Sequence, residues 1–241
     1  MRAVRSVAAE LATLADSARG VTVLEVGAGT GRYAEAVLHG VSERGLRYHG
    51  VACDAIQEML HGGTGHRTLA TGSIDRAVGL AEFLPFAAGS FDGVLSFNAV
   101  HHFDLRSFLA EAARVLRAGG RLIVYTRTPE QNERTIWGQF FPHFAERETR
   151  LYTERTLRAA LEAASRFEAV ELREMPWTMG TTLPRLLDHG RSGGYSTFRF
   201  YSPDEFEEAL SAFEIRVRAT FDDPSAITAQ NDHLLVVATR R

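Results

Sequence analysis

The chain has 241 residues, 45% of them apolar and 24% charged, with a formal net charge of -3. That is the balance of an ordinary globular protein, long enough for one large domain with a sizeable core. Cys53 is the only cysteine, which excludes a disulfide within the chain and a cysteine-based zinc cluster. The slight acidity gives no reason to expect a nucleic-acid or membrane-surface partner. No apolar run approaches the roughly 20 residues that span a bilayer. Residues 1–18 lack the continuous apolar core of a signal peptide, so a cytoplasmic protein is the expectation.

Val4, Val7, Ala8, Leu11, Leu14 and Ala15 recur at steps of three and four, which predicts an amphipathic helix stopped at Arg19-Gly20. Val21 to Val26 reads as a buried strand. After Gly31, Tyr33, Ala34, Val37 and Leu38 form one helical face that closes at Gly40. A second strand runs from Leu46 to Cys53 and ends at Asp54. A helix begins over Ala55 to Leu60 and is broken by His61-Gly62-Gly63-Thr64-Gly65. Ile74 to Leu80 is a third, weak strand. Phe91 to Asn98 is the fourth strand, Leu105 to Leu116 the next helix, and Arg121 to Thr126 the fifth strand, after Gly119-Gly120.

Strands alternating with helices imply a mostly parallel sheet with helices on both faces and right-handed crossovers. The regularity then lapses. Residues 127–150 read as a long aromatic and polar loop, Thr153 to Ala164 as a helix, and Phe167 to Met175 as an alternating strand. A short helix is expected around Leu183 to Leu187, then a glycine-rich loop from Gly190 to Gly194. Ser202-Pro203 opens a helix that Asp222-Asp223-Pro224 stops. His233 to Thr239 is the last strand.

The stretch Glu25-Val26-Gly27-Ala28-Gly29-Thr30-Gly31 joins the first strand to the next helix. A dinucleotide site needs G-x-G-x-x-G at such a turn, and counting from Gly27 its third glycine is replaced by Arg32. The glycines instead alternate, with an acid ahead of them. This E-x-G-x-G-x-G arrangement resembles motif I of the class I S-adenosylmethionine (SAM) dependent methyltransferases. Three further stretches carry the same resemblance. Asp54 ends the second strand 23 residues after Gly31 and is followed by Met59-Leu60. Ala81-Glu82-Phe83-Leu84-Pro85-Phe86 is similar to the family's A-E-x-L-P-F, although Leu80 stands where its preceding aspartate belongs. Ser90-Phe91-Asp92 through His101-His102-Phe103, with Arg114-Val115-Leu116 and Gly119-Gly120 after it, is similar to S-F-D-x-V…H-H-F and R-V-L-x-P-G-G. The resemblance covers about residues 21–126 and is nearest to the ubiquinone/menaquinone-methyltransferase type of domain.

It implies a Rossmann-like α/β fold with a seven-stranded, mostly parallel sheet and one reversed strand near an edge. One methyltransferase domain would cover residues 1–241: an N-terminal helix to residue 20, a SAM-binding core over 21–126, and substrate-side cap insertions at 127–150 and 178–232. The implied reaction is in-line methyl transfer from SAM to a small organic acceptor, leaving S-adenosylhomocysteine (SAH). A non-methylating cyclisation or rearrangement on the same fold, or a non-catalytic SAM-binding subunit, is the competing expectation. The implied cofactor residues are Glu25, Gly27, Ala28, Gly29, Gly31, Asp54, Ala55, Met59, Ala81, Glu82 and Asn98. His101 and His102, at the mouth of the cofactor cleft, are candidates for a base or a positioning group. Tyr33, Arg127, Trp137, Phe141, Tyr195 and Arg199 are candidates for acceptor contacts. No metal is expected. DNA amino-methylation needs an [N/D/S]-P-P-[Y/F] tetrad where Asn98-Ala99-Val100-His101 stands, so a nucleic-acid acceptor is not expected. Monomer and homodimer are both compatible with the sequence.

Overall fold

The computed structural model describes residues 2–15, 19–61 and 72–241. They form two compact units. The first holds the chain up to Thr126, Glu154–Arg173 and Leu234–Arg241, and the second holds Arg127–Thr153 and Glu174–His233.

In the first unit, α1 (Arg2–Ala12) buries Val7, Ala8 and Leu11, as the spacing predicts, and packs on α2 (Arg32–Ser42). The strands are β1 (Val21–Val26), β2 (Tyr48–Asp54), β3 (Gly72–Val78), β4 (Phe91–Phe97) and β5 (Leu116–Thr126). Between them lie α2, the short α3 (Gln57–His61) and α4 (Leu105–Val115). The seven-stranded sheet has the order β3-β2-β1-β4-β5-β9-β6, where β6 is Phe167–Met175 and β9 is His233–Arg240. The β1–β2, β2–β3, β1–β4 and β4–β5 pairs are parallel, and β9 runs antiparallel to β5, one strand in from the edge. This is the expected mixed sheet with its reversed strand. Every residue of β4 is buried, as in a strand covered on both faces.

Strand order reverses between β1 and β4, so the crevice beyond their carboxyl ends is the place where such sheets take ligands. The ladder fixes which side chains reach it. Glu25 pairs with Ala52 on one side and Leu95 on the other.

Among the boundaries that differ from the sequence reading, two are explained by the ladder. Strand β5 begins at Leu116 because Phe91 pairs there, ahead of a register shift before Gly93. Strand β3 spans Gly72–Val78 rather than 74–80, because it follows β2 from Tyr48↔Gly72 to Asp54↔Val78. The expected helix break at 61–65 falls, from residue 62 on, outside the described residues.

The second unit is richer in structure than the sequence reading, which gave its segment 127–150 as a loop. It contains α5 (Pro129–Glu133), α6 (Ile136–Phe140) and α7 (Phe144–Arg147), then a ribbon of β7 (Thr178–Thr181) against β8 (Ile227–Gln230). Helices α9 (Leu183–Arg191) and α10 (Pro203–Thr220) complete it, while α8 (Glu154–Ala163) belongs to the first unit. Thr128 caps α5 in a capping box with Gln131, and Thr135 caps α6. The unit has its own core. Trp137 stacks on Phe213, with ring centroids 4.6 Å apart and planes 5° from parallel, and Phe141, Phe144 and Phe198 close around them. No helix among the described residues is long and apolar enough to cross a membrane.

Candidate functional site

Strand β1 delivers Glu25 to the crevice, and the chain then turns sharply into α2. Gly27, Gly29 and Gly31 hold φ of 68°, 55° and 80°, the left-handed region that a side chain disfavours. Their surroundings differ. A Cβ on Gly27 would stand 2.5 Å from the Ala99 Cβ and 2.8 Å from the Phe103 ring, so this glycine lets β1 and the turn after β4 approach. A Cβ on Gly29 would meet only the Met59 Cε, at 3.5 Å. The space over Gly29 is open to a ligand.

Two carboxyl groups flank the turn. Glu25 is 1% exposed. Its Oε2 accepts the Ala34 N–H at 2.8 Å, and its Oε1 has no partner although it is buried. Burial pushes this carboxyl up to about 8, against the Ala34 hydrogen bond and the charge of Arg32, with Asp54 adding a smaller upward push. Asp54 ends β2. Its Oδ2 accepts the Gly29 N–H at 2.7 Å and its Oδ1 the Ile56 N–H at 2.9 Å. A carboxylate has about four lone-pair sites, so Asp54 fixes the glycine turn and still has acceptor capacity for hydroxyl groups. Ala55 and Met59 are exposed beside it; Met59 is 44% exposed and is not a core residue.

The third wall follows β3. Gly79 N–H donates to the Asp54 carbonyl, and the loop from Leu80 to Phe86 turns under it, with Ala81 buried. Glu82 is tied to the start of α4, its Oε1 accepting the Asp104 N–H at 2.8 Å. Ile56, Met59, Val78, Leu80 and Phe83 form most of the exposed large apolar side chains among the described residues. They lie in the segment after β2, at the end of β3 and in the segment after it. Sequence reasoning missed the clamp on this loop. Glu111 accepts the Leu84 N–H, and Arg114 donates to the carbonyls of Leu84 and Phe86 while bonding Glu111. The signal was the Arg114-Val115-Leu116 motif itself.

The fourth wall follows β4. Asn98 adopts φ of 51° and donates its N–H to the Tyr125 carbonyl at 2.7 Å. Its side-chain amide lies 3.5 Å from the Tyr33 hydroxyl, which also accepts from Arg32 at 3.0 Å. Tyr33 stacks on Phe97 at 4.8 Å, and the Arg32 guanidinium covers the tyrosine ring at 4.6 Å. One cofactor candidate and one acceptor candidate therefore meet here. His101 and His102 lie in a single 3-10 turn with ring centroids 4.1 Å apart; His101 is half-buried and His102 exposed.

The other acceptor candidates lie in the second unit. Trp137 and Phe141, each 2% exposed, are part of its aromatic core and have little surface for a ligand. Tyr195 is half-buried with its ring edge-on to Trp137, Phe144 and His189. Arg199 is exposed, whereas Arg127 is buried.

Residues 24–124 match the family described as a methyltransferase domain. The chain is 34% identical over 118 residues to an O-methyltransferase of Aspergillus nomiae, covering 48% of this chain and 50% of that one. It is 31% identical over 176 residues to an uncharacterised methyltransferase of Mycobacterium tuberculosis, covering 72% and 64%. The chain thus spans about half to two thirds of these curated relatives. Among solved structures, a protein assigned as a methyltransferase of an antibiotic biosynthesis pathway in Anabaena variabilis superposes with a TM-score of 0.72 at 18% identity, over 97% of this chain and 96% of that one. Over residues 24–124 the chain carries a methyltransferase domain, and its fold is that of the class I SAM-dependent methyltransferases.

Proposed function

We propose that the chain binds SAM at the turn from β1 to α2 and transfers its methyl group to a small organic acceptor. The observation that carries this reading is the buried Glu25 carboxyl. One of its oxygens is unpartnered beneath a glycine turn whose outer side is open. A buried, half-satisfied carboxyl is costly, and a cationic ligand repays that cost.

When bound, SAM supplies a methyl carbon made electrophilic by a sulfonium. The chain's own residues supply the rest. Gly27, Gly29 and Gly31 let the backbone approach a bulky ligand. Glu25 balances the ammonium at the methionine end, directly or through water. Asp54 accepts from the ribose hydroxyls with the lone pairs that the Gly29 and Ile56 amides do not use. Ile56, Met59 and Leu80 offer apolar faces to the base, and the backbone at Ala81 reads its edge.

Tyr33 and Asn98 hold one another where the acceptor is to be oriented. The Tyr33 hydroxyl accepts two hydrogen bonds there, so its own proton is available to donate. His101 and His102 either position the acceptor or take its proton. An aliphatic alcohol needs that base, while a phenol, amine or acidic carbon needs only positioning.

The test is acceptor-dependent SAH formation over a panel of phenols, amines and carboxylic acids, with Asp54→Ala as the control. Turnover that stops in the variant supports the proposal. Product rearrangement without SAH assigns the fold to a non-methylating reaction.

A further inference from the structure

Arg127 is the one buried arginine among the described residues, at 7% exposure, and no carboxylate pairs with it. Several partly buried arginines among the described residues have one. Arg121 pairs with Glu10, Arg150 with Glu148, and Arg117 with Asp92. Arg127 instead meets neutral acceptors only. Its Nε donates to the Asp232 carbonyl at 3.3 Å, and its Nη2 donates to the Asn231 side-chain oxygen and faces His233 Nε2 at 3.3 Å. His233 Nδ1 lies 3.0 Å from the Asn231 carbonyl. With the proton on Nδ1, the imidazole is a neutral acceptor toward Arg127. Burial first, and then the Arg127 charge, depress His233 to about 3, which keeps it neutral at ordinary pH.

The carboxyl of Asp232, whose carbonyl takes the Nε donor, is occupied elsewhere. Asp232 Oδ1 accepts the Trp177 N–H, and its Oδ2 accepts from Gln230 and faces Arg134. Pinning the turn at 231–233 accounts for Nε and Nη2. It accounts neither for a full charge, since a neutral amide would pin the turn as well, nor for Nη1, which has no partner among the described residues. Taking an unpaired charge out of water is expensive unless an anion meets it. The Tyr195 ring lies 6.0 Å from the guanidinium carbon, with a hydroxyl that likewise has no partner among the described residues.

We propose that Arg127 is an anion-binding residue of the second unit, and that it receives the carboxylate or phosphate group of a small ligand, with Tyr195 beside it. The anion site does not rest on the methyltransferase reading. A guanidinium fork suits both groups because each presents two oxygens to paired N–H donors.

The experiment is an equilibrium titration of the whole chain with benzoate, phenyl phosphate and benzamide, followed by NMR at the Arg127 Nε–H signal. Calorimetric binding of SAH is measured on the same samples. Saturable binding of benzoate or phenyl phosphate, at least about tenfold tighter than benzamide, is expected. Which of the two binds better tells carboxylate from phosphate. Arg127→Gln should erase the preference and leave SAH affinity unchanged, and Arg127→Lys should keep part of it.

The proposal is overturned if benzoate, phenyl phosphate and benzamide titrate alike, if none moves the signal, or if Arg127→Gln keeps the preference. Should Arg127→Gln not fold, the wild-type comparison and Arg127→Lys decide. Loss of SAH binding with the anion preference intact counts against the methyltransferase reading alone.

Discussion

At the scale of single residues, the burial of Glu25 has a measurable consequence. A carboxyl held at about 8 in the fold, against 4.5 for its ordinary value, binds its proton more tightly folded than unfolded. Its contribution to stability is therefore complete below pH 4.5 and is lost as pH rises toward 8, at up to about 1.4 kcal/mol per pH unit. Urea unfolding at a series of pH values should show this decline in the ligand-free wild type and a flatter profile in Glu25→Gln. Parallel profiles would remove the basis for an ionisable Glu25.

The glycines predict a contrast. Gly27→Ala places a methyl group against Ala99 and Phe103 in a left-handed backbone. It should lower stability by about 2–4 kcal/mol, as overpacking and αL strain together imply. Gly29→Ala meets open space and should lose only about 1–2 kcal/mol from backbone strain. Denaturant midpoints for the two variants check the order. Both glycines read alike in the sequence. What separates them is the partner each faces, Ala99 and Phe103 or open space, and that is set by the turn after β4 some seventy positions on.

At the scale of elements, the loop from Leu80 to Phe86 depends on α4. Arg114 donates to two loop carbonyls and to Glu111, and Glu111 accepts a loop amide. Arg114→Met should cost about 2–3 kcal/mol, the usual range for losing hydrogen bonds to a charged group. On the proposed function it should also weaken SAH binding by releasing the wall that holds Ala81; thermal unfolding and calorimetry together separate the two effects. Leu80→Asp should tighten SAH binding several-fold by adding an acceptor for the exocyclic amine of adenine, with no gain for the inosine analogue. Equal gains for both ligands would contradict this placement of the base.

Apart from the five-residue α3, the strands and helices up to Thr126 were legible because each is long enough to show its period, and Glu25, Asp54 and the glycines because their order along the chain is distinctive. Helices α5 to α7 were not, since four or five residues cannot display a 3.6-residue repeat. Thr128-Pro129-Glu130-Gln131 carried the capping-box signal that marks the first of them. The β7–β8 ribbon escaped for a different reason. Its partners lie far apart in sequence, and each strand has only four residues.

At the scale of the whole molecule, the chain invests two separate segments in a second unit with an aromatic centre of its own. Trp137 and Phe141 read equally well as a ligand wall or as core, because aromatic spacing does not distinguish the two. The stacking of Trp137 on Phe213 predicts core behaviour. Trp137→Ala should destabilise the chain by about 3–5 kcal/mol, visible in chemical denaturation.

The first unit carries the central claim, that the β1–α2 turn is a SAM site. Ligand binding at 1,000 times its dissociation constant would stabilise the fold by about 4.1 kcal/mol, so the complex should also melt later than the free chain. The most direct measurement is calorimetric titration of SAM and SAH into the wild type and Gly29→Val, with the variant's fold verified by circular dichroism. The account predicts saturable one-to-one binding to the wild type and none to the folded variant. An absence of binding to the wild type, or unchanged affinity in the folded variant, would contradict it.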